Sequence, residues 1–193
     1  MFTGIIGALG EVAEVRPNHL GIEAAGLAEQ LAPGGSIAVN GVCLTVVHGE
    51  GAVFFADTIP ETLRKTNLGL LRPGEKVNLE LPLRLNQGLD GHLVQGHVDA
   101  MTEVLTVEEV ALGREVSFRL PPELAVYVAQ KGSITVDGVS LTVAGLSEGS
   151  FRIGLIPHTL ERTVSGTYRP GYRVNLEVDV IARYVERLTR AAS

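Results

Sequence analysis

The sequence predicts an all-β protein of two tandem, homologous, six-stranded Greek-key-like β-barrels, with short helices and a C-terminal α-helix. Two observations carry that expectation. The chain repeats itself once, and each repeat is a series of short β-branched runs bounded by turn residues. Shifted by 97 residues, Gly35-Ser36-Ile37-Ala38-Val39-Asn40-Gly41-Val42-Cys43-Leu44-Thr45-Val46 falls on Gly132-Ser133-Ile134-Thr135-Val136-Asp137-Gly138-Val139-Ser140-Leu141-Thr142-Val143. From 35 to 80, 23 of 46 positions are identical, which convergent strand composition does not produce. A period this long exceeds the roughly 20–50-residue units of solenoids, so the repeat reads as two domains.

The repeat-start segments, Thr3-Gly4-Ile5-Ile6 and Gln95-Gly96-His97-Val98, align at a shift of 92 instead. The second repeat is therefore expected to carry five extra residues, in a loop before Gly132. Runs at 37–39, 42–47, 52–56 and 77–81 read as strands. Asn40-Gly41 and Asp137-Gly138 lie between apolar runs and predict two-residue hairpins, because these residue types accept positive φ. Strands this short and regular favour small closed or nearly closed barrels, which remove exposed edges. Short helices are expected at 26–31, 61–68 and 122–130, and the inter-repeat connection at 82–91, where Asn86, Gly88, Asp90 and Gly91 are turn formers. The last element is an amphipathic helix over 180–189, with Ile181, Tyr184, Val185 and Leu188 on one face. The domains are placed at 1–94 and 95–178, with the helix at 179–193.

The chain has 193 residues, 45% hydrophobic and 20% charged, enough apolar material for packed cores. The 16 Lys+Arg against 22 Asp+Glu give a net charge of −6, and without a basic run nucleic acid is not an expected partner. One cysteine excludes an internal disulfide and a Cys-rich zinc site. His92 and His97 are five apart, not at the i, i+4 spacing of a helical zinc pair, so no metal site is expected. No apolar stretch reaches the roughly 18 residues of a membrane span. Met1-Phe2-Thr3 lacks the basic start of a secretory leader, and a cytoplasmic protein is expected. Motifs for dinucleotides, for NTP phosphates and for a nucleophile elbow are absent.

Strand alternation puts Val42, Leu44 and Val46 on one face and Cys43 with Thr45 on the other, and likewise Val139, Leu141 and Val143 against Ser140 and Thr142. With the aliphatic face inside, the small hydrogen-bonding side chains look outward. Chemistry would then lie on the barrel's outer wall, at a contact with another barrel, although a solvated threonine on a strand is ordinary in itself. The repeats differ at informative places: Cys43 meets Ser140, Asp57 meets Gly154, Glu61 meets His158, Ile5 meets His97 and Pro82 meets Asp179. Duplicated pockets with unequal polar groups suggest two similar ligands in two different roles.

Met1-Phe2-Thr3-Gly4-Ile5-Ile6, Asn40-Gly41-Val42-Cys43-Leu44-Thr45-Val46 and Gly91-His92-Leu93-Val94-Gln95-Gly96-His97-Val98-Asp99 resemble the riboflavin synthase family of the alpha-chain type. So do Lys131-Gly132-Ser133, Asp137-Gly138-Val139-Ser140-Leu141-Thr142-Val143, Leu155-Ile156-Pro157-His158-Thr159-Leu160 and Val174-Asn175-Leu176-Glu177-Val178-Asp179, in the family's order from the first residue into the C-terminal helix. The resemblance implies a transferase for the last step of riboflavin biosynthesis. It would convert two 6,7-dimethyl-8-ribityllumazine molecules to riboflavin and 5-amino-6-(D-ribitylamino)uracil without cofactor or metal. It also implies a homotrimer in which each active site joins the N-barrel of one subunit to the C-barrel of its neighbour, and it raises association with lumazine synthase without deciding it.

By the same resemblance the N-barrel pocket comprises Gly4, Ile5, Ile6, Cys43, Leu44, Thr45, Asp57, Thr58, Ile59, Pro60, Glu61 and Thr62. The C-barrel pocket comprises Gly96, His97, Val98, Ser140, Leu141, Thr142, Ile156, Pro157, His158, Thr159 and Leu160, and Lys131 reaches across to the partner's ligand. His97 is the expected proton shuttle, an imidazole being suited to proton transfer near neutral pH. Cys43, Ser140 and Thr142 would polarise or donate to the ring, and Asp179 would orient a partner group. The alternative is a non-catalytic lumazine- or flavin-binding protein of the same fold. The presence of Cys43, His97, Ser140, Thr142 and Asp179 argues against it.

Overall fold

The computed structural model describes residues 1–191. Strands β1 (Ala8–Arg16), β2 (His19–Glu23), β3 (Ser36–Val39), β4 (Val42–Glu50), β5 (Val53–Asp57) and β6 (Lys76–Glu80) close a barrel in the order β1-β2-β5-β4-β3-β6. The second barrel repeats that order with β7 (Ala100–Val110), β8 (Gly113–Arg119), β9 (Ser133–Val136), β10 (Val139–Ser147), β11 (Ser150–Leu155) and β12 (Arg173–Val178). The non-sequential β2·β5 and β6·β1 pairs give the Greek-key path, and closure removes both sheet edges. Helices α1 (Pro60–Lys65) and α2 (Pro157–Arg162) follow β5 and β11, each with a proline at its first position, where no N–H partner is needed. Helix α3 (Val180–Ala191) is two residues longer than expected, and residues 192 and 193 of the expected tail lie outside the described residues.

Each barrel is filled by its own alternating stripe. Val42, Leu44 and Val46 are buried with Ile22, Phe54 and Leu79, while Thr45 is exposed and Cys43 only half-buried. Val143 joins Phe118, Phe151 and Leu176 in the second core, where the two phenylalanine rings stack at 5.2 Å. Each such side chain contributes roughly 1.5–3 kcal/mol on full burial.

Most of the extra residues of the second repeat are not in a loop before Gly132. Val12 pairs with Ile22 and its counterpart Val104 with Phe118, with 9 residues between the first pair and 13 between the second. Four of the five thus lengthen the β7–β8 ribbon. A longer antiparallel ladder keeps satisfying backbone groups that a loop would leave to solvent.

The two predicted hairpin turns join the barrels. Asn40 and Asp137 hold φ at 44° and 46°, and each is followed by a glycine with positive φ. The turns meet so closely that a Cβ on Gly41 would lie 2.6 Å from the Gly138 backbone nitrogen. Around them lies a buried polar network. Asp137 Oδ1 accepts from Asn67 Nδ2 and from the Asn175 backbone N–H, both at 2.8 Å, and Oδ2 accepts from the Tyr168 hydroxyl at 2.8 Å. Asn175 Nδ2 donates to Asn40 O and Asn67 Oδ1, and Asn78 Nδ2 donates to Asp137 O, each at 2.8 Å. Burial pushes the Asp137 carboxyl up to about 7 in spite of these donors. Cys43 and Ser140 each stand two residues beyond a turn glycine, so this network also sets the distance between the two candidate sites.

Candidate active site

Two equivalent loops cross from one barrel to the other. Thr3 and Gly4 are held by Glu80 at the end of β6: Oε1 accepts from Thr3 N at 2.6 Å and Thr3 Oγ1 at 2.7 Å, and Oε2 accepts from Gly4 N at 3.0 Å. Glu177 on β12 does the same for Gln95 N at 2.8 Å and Gly96 N at 3.0 Å. Burial raises both carboxyls above the usual range, and the N–H donors act in the opposite direction. The far side of each loop lies on the other repeat. Gly4 O accepts from Ser140 N at 2.8 Å, and Gly96 O accepts from Cys43 N at 2.9 Å. A Cβ on either glycine would stand 2.6 Å from the Cβ of Ser140 or Cys43, so only glycine allows the approach.

This geometry corrects the grouping expected from the repeats. Gly4, and with it Ile5 and Ile6, belongs with Ser140 on the second barrel. Gly96, His97 and Val98 belong with Cys43 on the first. The two domains exchange their opening loops, a consequence of the approximate two-fold relation that also pairs Phe2 with Val94. The Leu44 side chain fills the first core, as strand alternation requires. Leu141 and Leu160 likewise pack against the second core, and Thr58 is buried.

The outward groups fall into two sets. Beside Cys43, Thr45 pairs across the ladder with Asp57, whose Oδ1 lies 3.0 Å from His19 Nδ1. Ile59 is 65% exposed at the head of α1. Pro60, Glu61 and Thr62 form the first turn of α1, where hydrogen bonding by Lys65, with Arg64 nearby, holds the Glu61 carboxyl below the usual range. Beside Ser140 are the exposed Thr142, Ile5 and Ile156, with Pro157, His158 and Thr159 opening α2. Exposed isoleucines next to hydroxyls suit a flat heteroaromatic ring with polar edges. Lys131 is exposed at φ 69°, where its counterpart Gly34 holds 84°. Asp179 Oδ1 accepts from Ile181 N at 2.9 Å and so caps α3.

Sequence reasoning missed His92, which it weighed only as a metal ligand. The ring is buried, with Nδ1 2.7 Å from Ser140 Oγ and Nε2 3.1 Å from Thr135 Oγ1. Burial lowers its proton affinity, and the charge of Asp179 works against that shift. Among the described residues no cluster of His, Cys, Asp and Glu could hold a metal ion.

A tandem pair of barrels, each with a small polar side chain under a loop from the other, defines a class. Residues 3–82 and 95–179 both match the family model of the lumazine binding domain. The chain is 49% identical over 200 residues, spanning all of both chains, to the riboflavin synthase of Mycobacterium tuberculosis (strain ATCC 25618 / H37Rv). It is 41% identical to that of Bacillus subtilis (strain 168), covering all of this chain and 92% of the relative. Among solved structures, LumP complexed with riboflavin superposes with a TM-score of 0.86 at 27% identity, over 92% of this chain and 99% of LumP. The chain belongs to the riboflavin synthase family.

Proposed function

We propose that the protein converts two 6,7-dimethyl-8-ribityllumazine molecules into riboflavin and 5-amino-6-(D-ribitylamino)uracil by moving a four-carbon unit from one to the other. The observation that carries this reading is the pair of homologous but chemically unequal pockets, Cys43 under Gly96 and Ser140 under Gly4. Two copies of one substrate need related pockets, and their different fates need different side chains. The reaction requires loss of a proton from the acidic C7 methyl group and addition of the resulting carbanion to an electron-poor ring. Stacking the two rings supplies proximity, and hydroxyl, thiol and imidazole groups in reach supply proton transfer. Riboflavin- and lumazine-complexed structures of LumP support a pocket of this ligand size on this fold.

The two repeats are 1–94 and 95–178, each pocket being completed by the opening loop of the other repeat, with His97, Cys43, Ser140, Thr142 and Asp179 as the catalytic set and Lys131 reaching a neighbour's ligand. The two pockets of one chain serve different active sites in a cytoplasmic homotrimer, each site joining the first barrel of one subunit to the second of the next. Protein treated with chelator and given only the lumazine should form riboflavin and the pyrimidine in equal amounts. A need for added metal or NAD(P)H would overturn the reading, and binding without turnover would favour a non-catalytic carrier of lumazine or flavin.

A further inference from the structure

We propose that His92 is a positioning residue that acts through Ser140, the two together forming the relay that removes and returns the C7-methyl proton of the lumazine held at the second barrel. This rests on the reaction proposed above. Ser140 lies half-buried on the outward side of β10, under Gly4, and its Oγ meets a buried imidazole at 2.7 Å. The second ring nitrogen meets Thr135 Oγ1 at 3.1 Å, a hydroxyl able to donate or accept. The His92 backbone N–H is anchored on Thr3 O at 3.1 Å, in the same segment that places Gly4 against Ser140. Among the described residues no imidazole hydrogen-bonds the Cys43 thiol, so only the second pocket has this arrangement.

The step balances without a further reactant. A C–H bond of the C7 methyl breaks and an O–H bond forms on Ser140 Oγ, while the original serine proton passes to His92 Nδ1. The electron pair stays delocalised in the lumazine ring, and the imidazole becomes imidazolium. Burial lowers the proton affinity of His92 and so favours the neutral ring that can accept, and the charge of Asp179 favours the cation once formed. On the elements around it, Glu177, next to Thr135 in register, is engaged by Gln95 and Gly96, and Glu80 by Thr3 and Gly4, while Asp90 stands two residues before it on its own segment.

The test compares wild type, His92→Asn, Ser140→Ala and the double variant. Each is assayed for kcat against pH and for deuterium exchange into the C7 methyl by NMR, with fluorescence titration of riboflavin reporting an intact fold. Expected are a loss of about 10²-fold in kcat for His92→Asn, loss of the wild-type acid limb, slower exchange, and a double variant no worse than Ser140→Ala alone. An unchanged acid limb and exchange rate, or additive losses, would overturn the relay while riboflavin formation by wild type leaves the overall reaction standing. If wild type forms no riboflavin, both fail. Should His92→Asn not bind riboflavin, Ser140→Ala decides alone: retention of the acid limb there overturns the proposal.

Discussion

Lys131 occupies a backbone conformation that its counterpart in the first repeat gives to Gly34. The left-handed region costs a residue with a β-carbon about 1–2 kcal/mol, so the lysine is kept at some expense to the fold. Lys131→Gly should leave thermal stability unchanged or raise it by about 1 kcal/mol, while kcat/KM falls at least about tenfold if the charge reaches a neighbour's ligand as proposed. Full activity in that variant would leave the lysine without a role in the site. His97, exposed beside the Gly96–Cys43 contact, is tested separately. His97→Ala should lower kcat by about 10²-fold while riboflavin still binds, and an unchanged kcat would remove it from the proton-transfer machinery.

Helix α3 is amphipathic in the sense opposite to that of a helix lying on its own core. Its polar side turns to the second barrel: Arg183 pairs with Asp99, and Tyr127 OH donates to Glu186 Oε2 at 3.4 Å. Ile181, Tyr184, Val185 and Leu188 are left 57%, 66%, 54% and 70% exposed. A 12-residue helix is marginal in isolation, and a solvated apolar stripe adds nothing to hold it. The same stripe on other subunits is the cover that the trimer reading supplies. Leu188→Glu together with Tyr184→Glu should therefore leave the circular dichroism of the barrels intact and shift sedimentation toward monomer at low micromolar protein. Activity should fall in proportion if each site joins two chains as proposed. A fully active trimer would show that this face does not hold the assembly.

For the molecule as a whole, the network around Asp137 makes one body of two barrels. The carboxyl lies at about 7 in the folded protein against an ordinary 3.8. Between those values the folded state keeps a proton that the unfolded chain gives up. Stability from this group is therefore greatest below about pH 4, declines as the pH rises through about 7, and then levels off, a span on the order of a few kcal/mol. Asp137→Asn copies the residue at the equivalent turn, Asn40, and keeps the amide geometry without the charge. Thermal unfolding of this variant should lose that share of the pH dependence. Glu80 and Glu177 are raised in the same direction, so the quantity to read is wild type minus variant. A difference that stays constant from pH 4 to 8 would place the Asp137 titration elsewhere.

Much of this was legible in the sequence. The shift of 97 residues fixes two copies of one domain, the Asn-Gly and Asp-Gly pairs fix the hairpins, and alternation along 42–46 fixes which residues fill the barrel and which look out. Those are local properties, set by strand period and turn chemistry within a few residues of each other. Which loop lies over which outward residue is a different kind of fact. Gly4 meets Ser140, Gly96 meets Cys43 and His92 meets Ser140 across 136, 53 and 48 residues of sequence, through hydrogen bonds made only once both barrels have closed and the turns at Gly41 and Gly138 have met. Periodicity records the side of a strand that faces water and carries no record of the partner that later covers it. The exchange of opening loops and the imidazole behind Ser140 were therefore decided by the tertiary structure alone.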